Sequence, residues 1–119
     1  VTGAGSLVQA RAVARTIGTS NLVKTALFGE VANWGPVMAV LGRAGVPVDP
    51  TKVSLSFGGV AMVRRGVGLG PTAERRIAKV FQRKEFTMTV GLGQGTHRAH
   101  LWTTDLSYDY VRINASYRT

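Results

Sequence analysis

The chain has 119 residues, one domain's worth, and 45% of them are hydrophobic, so it has the material for a packed core and is no disordered tail. The absence of cysteine excludes disulfides, thiolate metal sites and a cysteine nucleophile. Fifteen Lys and Arg against six Asp and Glu leave a formal charge of +9, a field that draws phosphates, nucleic acid or acidic protein surfaces. No apolar run approaches the roughly 20 residues of a membrane-spanning helix, and Val1-Thr2-Gly3 lacks the basic and apolar regions of a signal peptide. A soluble, cytoplasmic protein is expected. The missing initiator methionine and the β-like first residue read as a chain released from, or cut out of, something longer.

In chain order, "SLVQARAVARTI" (6–17) opens with a Ser-x-x-Gln capping pattern. Ala10, Val13, Ala14 and Ile17 share one face, with Arg11 and Arg15 on the other, so the spacing predicts an amphipathic helix. "GTSN" is a stop, and "LVKTALFG" (22–29) reads as a short extended segment. "NWGPVMAVLGRAG" (33–45) predicts a short buried helix, with Asn33 as cap and Pro36 in the first turn. "VPVDPTK" is a proline-punctuated connection. "VSLSFGGVAMV" (53–63) alternates with period two about Gly58-Gly59, a hairpin. "RRGVGLG" reads as a loop, and "PTAERRIAKVFQRK" (71–84) as a second amphipathic helix. It buries Ala73, Ile77, Val80 and Phe81 and presents Arg75, Lys79 and Arg83 as a basic row. "EFTMTVGL" (85–92) and "THRAHLWTT" (96–104) are expected to form a second hairpin. The ending is expected to begin as a helical turn capped by Asp105 or Ser107. Helices interleaved with hairpins predict a single α+β domain over 1–119, with a mixed or largely antiparallel sheet packed by two to three amphipathic helices.

The residues alone reveal no complete catalytic apparatus. His97 and His100, three apart on a strand, would point to opposite faces and could not chelate one ion, and no carboxylate cluster accompanies them. No metal site is expected. "GLGQG" (91–95) and "RRGVGLG" (64–70) lack the full phosphate-loop context and read as turn glycines. The second precedes Pro71, which leaves an anion site at that helix start open. The basic row, with Arg76, is the argument for nucleic acid or an acidic partner. It has no interleaved aromatics, so a solvated helix face is the plainer reading and nucleic acid is not the expected partner.

Three stretches change that picture: "VTGA" (1–4), "NLVKTALFGEVANWG" (21–35) and "TTDLSYDYVRINASYRT" (103–119). They resemble the C-terminal part of the ornithine acetyltransferase family, the glutamate N-acetyltransferases of arginine biosynthesis. There the patterns run "LVKTAIFGEDxNWGR" and "GCDLTYDYVRINAxYR", and the elements between match in order. The resemblance covers essentially the whole chain. It implies a fragment of a two-chain α/β sandwich enzyme made as one self-cleaving precursor, whose exposed N-terminal threonine carries the acetyl group. It also implies a hetero-oligomer with the other chain and remaining segment of the parent. The substrates would be N-acetylornithine and glutamate, with acetyl-CoA as a possible co-substrate and no bound cofactor. The nucleophile, the "GEGA" glutamate and the oxyanion hole fall outside this span, so no catalytic residue is assigned and the isolated chain is expected to be inactive. Two substrate-binding positions carry over: the asparagine of "INA" is Asn114, and the terminal threonine is Thr119. An amide offers donor and acceptor together, suited to an amino acid's ammonium and carboxylate. The span departs from the family at Val31, where an Asp is usual, at Pro36, where an Arg is usual, and at Ser116, where an acid is common. These changes leave a diverged, inactive member as one alternative reading, and the row Arg75, Arg76, Lys79 and Arg83 leaves a stand-alone basic module for nucleic acid or an acidic partner as another.

Overall fold

The computed structural model describes residues 1–28 and 34–104. The first helix, α1 (Leu7–Gly18), begins where the capping pattern predicts: the Ser6 hydroxyl accepts the Gln9 N–H at 3.1 Å. Ala10, Val13 and Ile17 are buried, while Arg11 and Arg15 stay in solvent.

The segment read as extended is instead a second helix, α2 (Asn21–Phe28). Its β-branched Val23 and Thr25 favour a strand in isolation. A local cap opposes that preference: the Ser20 hydroxyl accepts the Val23 N–H at 3.3 Å. The Thr25 hydroxyl is satisfied within the helix by the Asn21 carbonyl at 2.9 Å. Val23 is buried at the contact of α2 with its neighbours. Helix α3 (Gly35–Leu41) has Pro36 in its first turn and buries Val37, Val40 and Leu41. The expected cap Asn33 lies outside the described residues.

After a 3-10 turn at Pro50–Lys52 come β1 (Ser54–Phe57) and β2 (Val60–Arg64), the predicted hairpin. Gly58 and Gly59 both take positive φ, +55° and +82°, the geometry of a two-residue turn whose twist matches the strands. The register runs Phe57↔Val60 and Ser56↔Ala61, then slips at a bulge to Leu55↔Val63. The supposed loop "RRGVGLG" holds another hairpin, because Arg65 and Gly66 also take positive φ and return the chain as β3 (Val67–Gly68) against β2. Helix α4 (Pro71–Phe81) follows, then β4 (Met88–Gly91), antiparallel to β1, giving the order β3-β2-β1-β4.

The expected pairing of 85–92 with 96–104 does not form. The opening residues take the place between them. The Thr2 N–H donates to the Val90 carbonyl (2.8 Å), and the Leu92 N–H to the Thr2 carbonyl (3.0 Å), a parallel match to β4. On the other side Ala4 and His97 exchange both bonds (2.9 and 3.1 Å), and the Ala99 N–H donates to the Val1 carbonyl (3.0 Å). The four-stranded sheet is thus antiparallel throughout, and among the described residues the parallel pairing is the isolated bridge of Thr2 to Gly91. Residues 96–104 carry only isolated bridging, so the opposite-face argument for His97 and His100 lapses; both are exposed.

The buried face of the sheet, Val53, Leu55, Phe57 and Val90, joins Ile77, Val80 and Phe81 of α4 and the apolar faces of α1 to α3 in one core. Phe57 meets Phe81 edge-on, ring centroids 5.0 Å apart, and Phe86 closes the cluster 5.4 Å from Phe81. The thinnest dimension of the molecule, 21 Å, matches one helix layer on one sheet, at about 10 Å each.

Candidate functional site

Asn114 and Thr119, with Val31, Ser116 and the predicted terminal turn, lie outside the described residues. The structure does show how the chain is held just before them. The Thr103 hydroxyl donates to the Gly18 carbonyl at 2.6 Å, joining residues 85 apart in sequence. Leu101 packs over Gly18 so closely that its methyl occupies the space a Cβ there would need. A side chain at position 18 would push that methyl, the free end of a half-exposed leucine, aside. A carbonyl left over at the end of α1 gains a partner, and Thr103 is thereby held at the α1–α2 corner.

That corner borders an open groove of about 470 Å³ lined by Thr16, Ser20, Asn21, Leu22, Val40 and Arg43. Three helices form it: α1 supplies Thr16, the α2 start supplies Ser20 to Leu22, and α3 with its following turn supplies Val40 and Arg43. Two hydroxyls are already engaged, Thr16 with the Ala12 carbonyl (2.8 Å) and Ser20 as the α2 cap. Asn21 and Arg43 are exposed, and the lining has no carboxylate. Such a lining can hold and orient a polar or anionic group. It contains no base beside a hydroxyl, so it has no means of activating a nucleophile. None of these residues stood out in the sequence, because reading 22–29 as extended concealed the Ser20 cap and hence the corner.

The other sites considered from sequence have backbone roles. Gly66 sits in the β2–β3 turn, with a Cβ position only 2.5 Å from the Pro50 carbonyl oxygen. A Cβ on Gly95 would lie 2.5 Å from the Ala4 carbonyl oxygen, so that glycine lets the loop close over the opening segment. The first turn of α4 carries Glu74, which opposes an anion at that helix start. Among the described residues no three His, Asp or Glu side chains gather as a metal-binding group. None of the described helices is long and apolar enough to cross a membrane.

Known proteins supply the frame for this geometry. The chain is 50% identical over 119 residues to the arginine biosynthesis bifunctional protein ArgJ of Geobacter sulfurreducens, matching all of this chain and 30% of that protein. It is 47% identical, over the same shares, to the protein of that name from Syntrophotalea carbinolica. The crystal structure of the arginine biosynthesis bifunctional protein ArgJ from Bacillus halodurans superposes with a TM-score of 0.88 at 34% identity, covering 98% of this chain and 55% of that one. The chain thus spans about 30% of the length of the curated relatives it matches. The model of the ArgJ family matches residues 1–119, and the chain belongs to the ArgJ family.

Proposed function

We propose that this chain is the C-terminal portion of an acetyltransferase that moves an acetyl group from N-acetylornithine, or from acetyl-CoA, to glutamate. It works in the cytoplasm as part of a hetero-oligomer with the rest of its parent. The observation that carries this reading is the family match along the full chain. In the proposed chemistry a threonine hydroxyl outside this span attacks the acetyl carbonyl and releases ornithine. The glutamate amine then attacks the resulting ester and restores the hydroxyl. Asn114 and Thr119 bind the amino-acid substrate in both half-reactions. Their contribution is orientation, which places the amine in line with the acyl carbonyl. The anchoring of Thr103 on Gly18 supports a structural role for this span in holding the terminal segment.

The test is Asn114→Ala and Thr119→Ala in the full-length protein, assayed for acetyl transfer from N-acetylornithine to glutamate. Each should lower kcat/KM at least tenfold with the fold intact by circular dichroism. Unchanged kinetics in both would remove these residues from the pocket. Turnover by the isolated 119-residue chain would overturn the assignment of the nucleophile to another segment.

A further inference from the structure

Helix α4 carries Arg75, Arg76, Lys79 and Arg83 in solvent. At 100° per residue these four fall within an arc of about 100°, in a row about 12 Å long. Past Phe81 the chain tightens into a turn, the Gln82 and Arg83 N–H groups donating three residues back to the Lys79 and Val80 carbonyls (3.3 and 3.0 Å). Arg83 closes the row just beyond the helix, its guanidinium beside Gly58 of the β1–β2 turn. Glu74 lies outside the arc, on its far flank. None of the four cations forms an ion pair among the described residues; Arg75 donates only to the Thr72 hydroxyl at 3.3 Å. The Arg75–Lys79, Lys79–Arg83 and Arg76–Lys79 spacings are like-charge neighbours one turn apart, and each weakens the helix. The opposite face is fully committed to the core through Ile77, Val80 and Phe81.

We infer that this face of α4 docks an acidic surface of the remaining polypeptide of the same protein, a step that rests on reading this span as part of a longer family member. Charge complementarity selects the occupant. The span alone is +9, and the chain covers 30% of its curated relatives, so most of the protein lies outside it. The row lies on an exposed helix face. The arc, completed by Thr72 and Gln82, has no aromatic on which a base could stack. Carboxylates repeating at one-turn spacing on a facing helix or loop would neutralise the row and offset its self-repulsion.

Zero-length carbodiimide coupling of amines to carboxylates in the full-length protein, followed by peptide mapping, reads the contact directly. Lys79 should be joined to an Asp or Glu outside these 119 residues. The Arg75→Glu/Arg83→Glu variant should lose that product at least tenfold. If this variant does not fold, the wild-type map alone decides. A Lys79 that couples to no carboxylate outside the span overturns the proposal. So does protection of Lys79 by a 20-nucleotide single strand that the same variant no longer binds, which would make the row a nucleic-acid surface. Coupling is read without turnover, so an inactive protein with the cross-link keeps the docking surface and loses the proposed function. An active protein without the cross-link does the reverse.

Discussion

Single residues fix several of the turns on which this chain depends. Gly66 takes φ +77° with the Pro50 carbonyl in the space of a side chain, so Gly66→Ala meets both backbone strain and a clash. It should cost about 1–3 kcal/mol, read as a lower urea midpoint. A midpoint within error of the wild type would show that the turn relaxes freely. Thr103→Val removes the donor to the Gly18 carbonyl and should cost about 1 kcal/mol. If this anchor also holds the terminal segment in the full-length enzyme, KM should rise while the stability loss stays small. Asp49 is the described side chain whose titration is perturbed: the Thr51 hydroxyl, then the Thr51 N–H, hold its carboxyl below the usual carboxylate range. A carboxyl depressed in the folded state contributes stability above its unfolded pKa of about 3.9, lost as pH falls through the lower folded value. Asp49→Asn should therefore flatten the acid limb of stability against pH. An unchanged limb would place the Asp49 contribution near zero.

At the scale of elements, α4 and the β1–β2 hairpin lean on each other through Phe57, Phe81 and Phe86. Phe57→Ala should cost about 3–5 kcal/mol. A loss under about 1 kcal/mol in thermal unfolding would show that the aromatic cluster collapses around the vacancy. The same elements show what could be read from sequence. Helices α1 and α4 announced themselves because each carries a full apolar stripe and a start signal. The first hairpin did so because Gly58-Gly59 interrupts a clean alternation. Helix α2 did not, since Val23 and Thr25 vote for a strand and the deciding Ser20 cap is a single side chain. The false partnership of 85–92 with 96–104 arose because local order suggests the nearest neighbour, whereas the true neighbour is Val1–Ala4, from the far end of the span. The groove was illegible for a related reason: Thr16, Asn21 and Arg43 come from three elements whose meeting no local pattern specifies. Asn114 and Thr119 carry no periodic signal, and their proposed role rests on their motif alone.

Over the whole molecule, charge is the dominant unbalanced term. At +9 on 119 residues, with few acids to offset it, the isolated chain repels itself. Its melting temperature should rise between 0.05 and 0.3 M salt, as the Debye length shrinks to below about 10 Å. A fall over that range would indicate that attractive pairs outweigh the repulsion. In the full-length protein the rise should be smaller, because an acidic partner surface already neutralises the α4 row.

Val1–Ala4 fills a slot between β4 and residues 97–99. Ala4 is completely buried, and backbone bonds flank the segment on both sides. A chain starting at Gly5 would leave β4 with an open edge of unmet donors and acceptors and residues 97–99 without their strand partner. Such a vacancy invites any extended peptide. A short synthetic strand carrying Val-Thr-Gly-Ala should refill it in trans, as donor-strand complementation does elsewhere, and a labelled version would turn the slot into a handle for following assembly.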